Sequence, residues 1–214
     1  MISVKLDHDL EKDIVIINDG STDRTSDVLK NILLDNPAIL IINQPVNMGK
    51  GAAIRTGISK ITGDIVIIQD ADLEYDPTDY NNLLQPILGN KADVVYGSRF
   101  KGSEPKRKLV FLHTTGNRFL TFLSNLFTGL RLTDMETCYK TFKADVIKQI
   151  TIKENRFGFE PEITAKVSRI KNVRICEVPV SYTARTYATG KKIKWTDGFY
   201  AIWCILKYNI FSRK

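Results

Sequence analysis

Three apolar runs, each ended by a polar residue, follow one another through the first third of the chain: "DIVIIND" at 13–19, "AILIIN" at 38–43 and "DIVIIQD" at 64–70. They are continuous rather than alternating and rich in β-branched residues, which is typical of parallel strands covered by helices on both faces. Helical stretches separate them, one ending near residue 35 and one at 49–60. This order predicts an α/β fold with a mostly parallel central sheet flanked by helices.

A third helix and a fourth strand continue the pattern. Asp76 is the predicted N-cap of this helix, with Pro77 at its first position, and Pro86 is expected to interrupt it. The run "ADVVYGSRF" at 92–100 then reads as a strand ending in a polar turn. Ligands of open α/β sheets bind beyond the carboxyl ends of the strands. The candidate residues at those ends are Asp19, Asn43, Asp70 and Arg99.

An acidic segment, "IIQDADLEYDP" at 67–77, follows the third apolar run. Its first two acids, Asp70 and Asp72, can hold a divalent cation through hard oxygen ligands, with substrate phosphates completing the coordination shell. A solvated acidic turn is the alternative for this pair. Asp76 is explained by its role as a helix cap.

Two further motifs lie at predicted strand ends or helix starts. In "INDGSTD" at 17–23, Asp19 ends a strand, and an acid there suits hydrogen bonding to a nucleoside base or ribose, while Ser21 or Thr22 would cap the next helix. In "NMGKGAA" at 47–53, the spacing of the Walker phosphate loop is missing, which disfavours a nucleoside triphosphatase. A glycine-rich helix start with one lysine is still a good place for an anion.

The net charge limits the class of binding partner, and the cysteines indicate the redox compartment. The net charge of +7 favours an anionic partner, which could be nucleic acid, a phosphorylated small molecule or an anionic membrane surface. The three cysteines match no zinc spacing, so we expect free thiols in a reducing compartment. No stretch reaches the roughly 20 apolar residues needed to span a bilayer. The predicted location is the cytoplasm, with peripheral attachment to the cytosolic face of a membrane.

Two segments could contact either the core or a membrane. Apolar residues at 119–130 follow helical spacing, and the other face of this helix is polar but uncharged. An aromatic and aliphatic run at 195–211 follows a basic stretch. Core packing and an interfacial position both fit these patterns. The predicted organisation is one domain at 1–192, followed by a C-terminal amphipathic helix at 193–214.

Seven motifs in order carry a resemblance to a known family. They are "NDGSTD", "NMGKGAAIRTG", "DADLEYDP", "YGSRF", "TDMETCYK" with "TF", "RFGFEPEI" and "EVPVSY". Together they resemble family 2 glycosyltransferases of the GT-A fold, in the branch that transfers mannose or glucose to dolichyl or polyprenyl phosphate. The resemblance runs from about residue 13 to the end of the chain.

The resemblance implies an enzyme that moves a hexose, with inversion, from a GDP-mannose or UDP-glucose type of donor to a polyprenyl phosphate. Mg²⁺ or Mn²⁺ would be held by Asp70, Asp72 and Glu74. The residues implied in donor binding are Asp19, Ser21, Asn47, Lys50 and Asp70; those implied in catalysis are Asp72, Arg99 and Asp134; those implied at the acceptor phosphate are Arg118, Arg185 and Lys191.

If the acceptor is a phosphate, the enzyme needs no histidine as a general base. It is anionic near neutral pH and can attack the sugar directly, whereas a hydroxyl acceptor needs a general base. Asp134 occupies the position where hydroxyl-acceptor relatives keep that base. A transferase acting on a saccharide or protein hydroxyl is therefore the alternative enzyme.

The chain departs from the family pattern at its start. "MISVKLDHDLEKD" corresponds only to the end of the family's first helix, so one strand and helix unit is expected to be missing. Because that strand is normally central, its loss would expose unpaired backbone on the strands either side. A non-catalytic remnant that binds nucleotide or membrane is a third hypothesis, beside the two transferases. A nucleic-acid partner is not expected, because the chain has no recognition-helix pattern.

Overall fold

The computed structural model describes residues 1–102, 111–183 and 195–212. In chain order the strands and helices are β1 (Val15–Asn18), α1 (Thr25–Asp35), β2 (Leu40–Asn43), α2 (Lys50–Ile58), β3 (Ile65–Ile67), α3 (Tyr80–Leu88), β4 (Val94–Ser98), α4 (Phe111–Thr128), β5 (Lys140–Lys143), α5 (Ala144–Ile147), α6 (Phe159–Val167), β6 (Ile175–Pro179) and α7 (Trp195–Leu206). The predicted alternation of strands and helices is confirmed through β4. A 3₁₀ turn precedes α3, and a π-helical turn follows α7.

The described strands form two sheets. β1 and β2 pair in parallel, and a second sheet has the order β3-β5-β4-β6. In this second sheet β4 and β6 are parallel, while β5 runs antiparallel to both β3 and β4. The sheet is therefore more mixed than predicted. The sequence did not reveal β5, because "KTFK" contains no apolar run.

The hydrophobic core lies around β4. Every residue of β4 is buried, as expected for a strand covered on both faces. Leu83 of α3, Phe142 of β5 and Ile163 of α6 are completely buried in or beside it. The side chains of β1 and β3 are mostly only partly buried, although their apolar runs predicted the same environment.

The start of α3 follows the prediction, but its interior does not. Asp76 accepts a hydrogen bond from the Thr78 amide at 2.9 Å, so it is the predicted cap. The expected interruption at Pro86 is wrong, because α3 continues to Leu88. Pro86 lacks the one N–H that would donate to the carbonyl of Asn82, and the helix continues past it despite this loss.

Helix α4 buries polar side chains and exposes apolar ones, unlike an ordinary surface helix. Its polar residues Thr121 and Ser124 are only 2% and 1% exposed. Its apolar residues Phe119, Phe122 and Leu126 are 54%, 65% and 67% exposed. The buried side of α4 therefore carries polar residues beside the partly buried Leu120, Leu123 and Phe127, and a second apolar face is left outward.

Helix α7 packs against α4 and α6. Glu154 anchors it by accepting hydrogen bonds from the Tyr200 hydroxyl at 2.5 Å, the Lys207 ammonium at 2.7 Å and the Tyr208 hydroxyl at 2.6 Å. Trp203, on its outer side, is half exposed. Within the described residues, no helix combines the length and apolar character needed to cross a bilayer.

Candidate functional site

A cavity of about 2850 Å³ opens at the carboxyl ends of β1 and β3 and extends between these strands. Typical small-molecule pockets are about 300–1,000 Å³, so this one exceeds what a single ligand of that size fills. The predicted site residues that line it are Asp19, Ser21, Lys50, Asp70, Asp72, Glu74 and Arg99. Most of the predicted site residues thus line one cavity, as expected from their positions after the carboxyl ends of the strands.

Asp19 joins the end of β1 to the start of α2. Its two carboxylate oxygens accept hydrogen bonds from the amides of Met48 at 2.8 Å and Gly49 at 2.7 Å. Its carbonyl accepts one from the Asn47 side chain at 3.1 Å. Gly20 permits this close approach, since a Cβ there would lie 2.5 Å from the Asn47 nitrogen. Asp19 and Asn47 therefore shape the loop, and their contacts with a donor remain predictions.

Lys50 bridges two carboxylates inside the cavity. Its ammonium lies 2.9 Å from Asp70 Oδ2 and 2.8 Å from Glu160 Oε1. Burial acts to raise the pKa of Asp70, but the charge of Lys50 outweighs it, and that pKa lies below its ordinary value. Glu160 was missed as a site residue, although "RFGFEPEI" contains it.

Two further titratable side chains, Glu136 and Lys140, lie near this group. Lys140 is completely buried, donates to the Thr137 carbonyl and lies 5.2 Å from the centre of the Tyr96 ring. Burial raises the pKa of Glu136 to about 8 and lowers the pKa of Lys140. Both residues come from the "TDMETCYK" motif, but nothing in the sequence indicated that the lysine would be buried.

The acidic segment does not form the predicted cluster of three carboxylates. Among the described residues, no three His, Cys, Asp or Glu side chains are grouped so that they could hold a metal ion. The chain leaves the strand direction after Ile67, and Leu73 has a φ of 60°, so alternate residues no longer face one way. Asp70, Asp72 and Glu74 thus form no ready-made group of three in the described part of the chain, and their binding of a metal stays a prediction.

Asp70 and Asp72 still fit a divalent cation as a pair. Both line the cavity, both offer hard oxygen ligands, and a cation bound by two carboxylates takes its other ligands from substrate phosphates and water. The Glu74 amide donates to Asp72 Oδ1 at 3.2 Å, which fixes the turn between them. Glu74 thus has a structural role through its backbone.

Arg99 and Asp134 form a buried, two-pronged ion pair. Arg99 Nε and Nη2 each donate to a carboxylate oxygen of Asp134 at 2.7 Å. Asn117 also donates to this carboxylate, at 3.0 Å. Burial acts to raise the pKa of Asp134, but Arg99 outweighs it and the pKa lies below its usual range. A carboxylate so held is a poor general base near neutral pH.

A further carboxylate fixes the position of Asp134. Glu177 of β6 accepts hydrogen bonds from the amides of Thr133 at 2.8 Å and Asp134 at 3.0 Å, and from the Thr133 hydroxyl at 3.0 Å. Arg99 is thus oriented by Asp134, which is oriented in turn by Glu177. Sequence reasoning missed Glu177, because these contacts cross more than forty residues of chain.

The predicted acceptor residues are not brought together in the described part of the chain. Arg118 on α4 is exposed and lies outside the residues that line the cavity, with its guanidinium 5.5 Å from the Phe100 ring. Arg185 and Lys191 lie outside the described residues. The three cysteines are free thiols, as predicted.

Comparison with known proteins identifies relatives that include transferases named for dolichyl phosphate. It is 34% identical over 210 residues to a dolichyl-phosphate beta-glucosyltransferase of Trichomonas vaginalis, covering 94% of this chain and 62% of that protein. It is 27% identical over 198 residues to a UDP-N-acetylglucosamine–dolichyl-phosphate N-acetylglucosaminyltransferase of Methanococcus voltae, covering 84% and 79%. The chain thus spans less than two thirds of the Trichomonas relative.

The solved structures it resembles confirm the predicted GT-A fold. Glucosyl-3-phosphoglycerate synthase of Mycobacterium tuberculosis, in complex with Mn²⁺, UDP and phosphoglyceric acid, superimposes with a TM-score of 0.67 at 17% identity, covering 92% of this chain and 68% of that one. The family described as "Glycosyl transferase family 2" matches residues 3–151. With this match spanning well over half of its length, the chain belongs to glycosyl transferase family 2.

Proposed function

We propose that this chain carries the catalytic domain of an enzyme that transfers a hexose from a nucleotide-diphosphate sugar to a polyprenyl phosphate. The observation that carries the proposal is one cavity in which Asp70 and Asp72 follow one strand and the mostly buried Arg99 follows another. The names of the relatives support the acceptor class. A donor of the GDP-mannose or UDP-glucose type supplies the sugar.

The donor's diphosphate would lie at the acidic strand end. Asp70 and Asp72 would hold Mg²⁺ or Mn²⁺ there, and the bound cation supplies charge neutralisation to the departing nucleoside diphosphate. Lys50 adds a positive charge beside Asp70, at the start of α2, where backbone N–H groups favour anions. This part of the cavity therefore stabilises a leaving group.

The acceptor phosphate would need positioning rather than activation. A phosphate oxygen is already negatively charged near neutral pH, so no residue has to remove its proton. Arg99 offers a fixed guanidinium whose orientation is set by Asp134. The engagement of Asp134 with Arg99 favours this route over a hydroxyl acceptor.

The proposal predicts which of two matched acceptors receives the sugar. Radiolabelled GDP-mannose and UDP-glucose would each be incubated with undecaprenyl phosphate or undecaprenol, with and without Mn²⁺. Transfer to the phosphate should require the metal, and the alcohol should receive at least a hundredfold less sugar, because Asp134, the predicted base for a hydroxyl, is held by Arg99. Equal transfer to the alcohol, or no transfer to the phosphate from either donor, would contradict the proposal.

We also propose that the protein works at the cytosolic surface of a membrane, where a polyprenyl phosphate is embedded. The outward face of α4 supports this, because exposed Phe119, Phe122 and Leu126 are unfavourable in water and favourable in a lipid interface. The basic stretches at 101–108 and 185–194 immediately precede α4 and α7 in sequence. A basic stretch that adjoins an apolar helix in sequence suits anionic lipid.

Replacing Phe122 and Leu126 together by serine should weaken binding to vesicles of phosphatidylcholine and phosphatidylglycerol by about 30-fold or more. The expected loss follows from roughly 2–3 kcal/mol of apolar burial in the interface. Vesicle flotation measures the bound fraction. Leu34→Ser is the matched control, since Leu34 on α1 is 81% exposed. An equal loss of vesicle binding with Leu34→Ser would contradict the proposal that the outward face of α4 binds the membrane.

A further inference from the structure

Gln69, between β3 and the acidic segment, is a polar residue to which the proposed function gives no role. β3 ends at Ile67, and one more backbone hydrogen bond, from the Ile68 amide to the Lys140 carbonyl at 3.0 Å, continues its pairing. Gln69 comes next, is partly buried and lines the cavity directly before Asp70. The residue therefore lies at the point where the strand ends and the proposed metal ligands begin.

Asp70 is held through its backbone by two side chains. Its amide donates a hydrogen bond to Cys138 Sγ at 3.1 Å, and its carbonyl accepts one from Gln69 Nε2 at 2.7 Å. Cys138 is itself buried in the hydrophobic core. Because the N–H and the C=O of Asp70 both have fixed partners, the direction of its Cα–Cβ bond is fixed, and with it the space that the carboxylate can reach.

The Gln69 amide is held in turn by two buried tyrosines. The Tyr80 and Tyr139 hydroxyls both donate to Gln69 Oε1, at 3.0 Å and 2.6 Å. Tyr80 begins α3 and Tyr139 immediately precedes β5, and the two side chains are buried. Burial raises the pKa of Tyr80 to about 12, so this hydroxyl keeps the proton that it donates. Turning the amide over would place its oxygen against the Asp70 carbonyl, two acceptors without a hydrogen between them, so the amide has one favourable orientation.

We propose that Gln69 is a positioning residue for the metal site. It links two buried tyrosines to the backbone of Asp70, and so holds the Asp70 carboxylate where a cation on Asp72 can share it. This role rests on the proposed function, in which these two carboxylates bind Mg²⁺ or Mn²⁺. Gln69 is not itself a ligand, since its oxygen is engaged by the tyrosines and its nitrogen by the Asp70 carbonyl. Groups that orient a metal ligand contribute roughly 10- to 100-fold to the affinity for the metal.

Gln69→Met tests this role, because methionine has a similar length but no N–H to donate to Asp70. With UDP or GDP present, the variant should bind Mn²⁺ about tenfold more weakly, as measured by electron paramagnetic resonance of free Mn²⁺. Its affinity for the nucleotide without metal, measured by calorimetry, should stay unchanged. Gln44→Met is the matched control, since the partly buried Gln44 also donates one hydrogen bond, to Thr56 at 3.1 Å, but does not line the cavity. This control should bind Mn²⁺ as the unchanged protein does.

The tyrosines provide a second test, which separates positioning from general stability. Tyr80→Phe combined with Tyr139→Phe removes both donors to the Gln69 oxygen and should also weaken Mn²⁺ binding. Adding Gln69→Met to this pair should cause no further loss, because all three residues act through one contact with Asp70, whereas independent structural losses would add. Thermal unfolding shows which variants are folded, and the tyrosine pair decides if Gln69→Met is not.

The Mn²⁺ affinities distinguish failure of this proposal from failure of the proposed function. If the unchanged protein binds Mn²⁺ with nucleotide and folded Gln69→Met binds it equally tightly, Gln69 has no positioning role, and the proposed function stands. An equal loss in Gln44→Met, or losses that add in the triple variant, would overturn the role of Gln69 as well. If the unchanged protein binds no Mn²⁺ with either nucleotide, the proposed metal site fails, and the positioning role fails with it.

Discussion

Asp134→Asn is expected to lower the free energy of unfolding by about 3–5 kcal/mol, because it leaves the Arg99 guanidinium buried without its counter-charge. Asp134 is completely buried and accepts two 2.7 Å hydrogen bonds from Arg99. Asparagine keeps the size of the side chain but not its charge or both acceptors. Urea unfolding at pH 7 measures the loss.

The pH dependence distinguishes loss of the charge from general damage. The pKa of Asp134 is lowered in the folded protein, so its contribution is present above the unfolded value of about 3.9 and is lost as the pH falls through the folded pKa. The deficit of Asp134→Asn should therefore shrink toward pH 2. The double variant Arg99→Met with Asp134→Leu removes both charges and should recover much of the stability. A deficit unchanged at low pH would show that the ion pair is not its cause.

Asp70→Asn should weaken Mn²⁺ binding in the presence of UDP by at least tenfold, and should slow sugar transfer by about a thousandfold. Asparagine keeps one oxygen but loses the negative charge that a hard cation requires, and metal stabilisation of a leaving group is worth several kcal/mol. Electron paramagnetic resonance of free Mn²⁺ measures the binding without relying on activity. The fold should survive, because Lys50 keeps its 2.8 Å contact with Glu160.

The matched control lies six residues further along. Asp76→Asn makes the same chemical change in the same acidic segment, but Asp76 caps the turn before α3, and asparagine is an equally good cap. Its Mn²⁺ binding and transfer rate should stay close to those of the unchanged protein. An equal fall in both variants would mean that the segment acts through its total charge rather than through Asp70.

The local sequence pattern was enough to predict the first four strands and the residues that follow them. Continuous apolar runs located β1 to β4, and the rule about strand ends placed Asp19, Asp70 and Arg99 in one cavity. β5 was not foreseen, since its position between β3 and β4 is fixed by tertiary pairing rather than by its own four residues. The resemblance named Glu74 beside Asp70 and Asp72, but local pattern could not place these three side chains relative to one another, because the strand ends before them.

Contacts between residues far apart in sequence could not be predicted at the site. Glu160 meets Lys50, and Glu177 meets Asp134, across distances in sequence that no spacing rule describes. Amphipathic periodicity had a similar limit at α4. It showed that the helix has two faces, but not which of them the protein would bury.

The buried polar face of α4 explains why its apolar face points outward. Asn117 donates to Asp134, Thr121 accepts from the Met135 amide at 3.1 Å, and Asn125 exchanges two hydrogen bonds with the backbone of Leu132. These three residues are spaced one helical turn apart, so they share one side of the helix. Rotating α4 by a single residue position would break all of these bonds together. These hydrogen bonds therefore allow α4 only one rotation about its own axis. A lipid surface on its outer side would lie one helix thickness from the loop that holds Asp134.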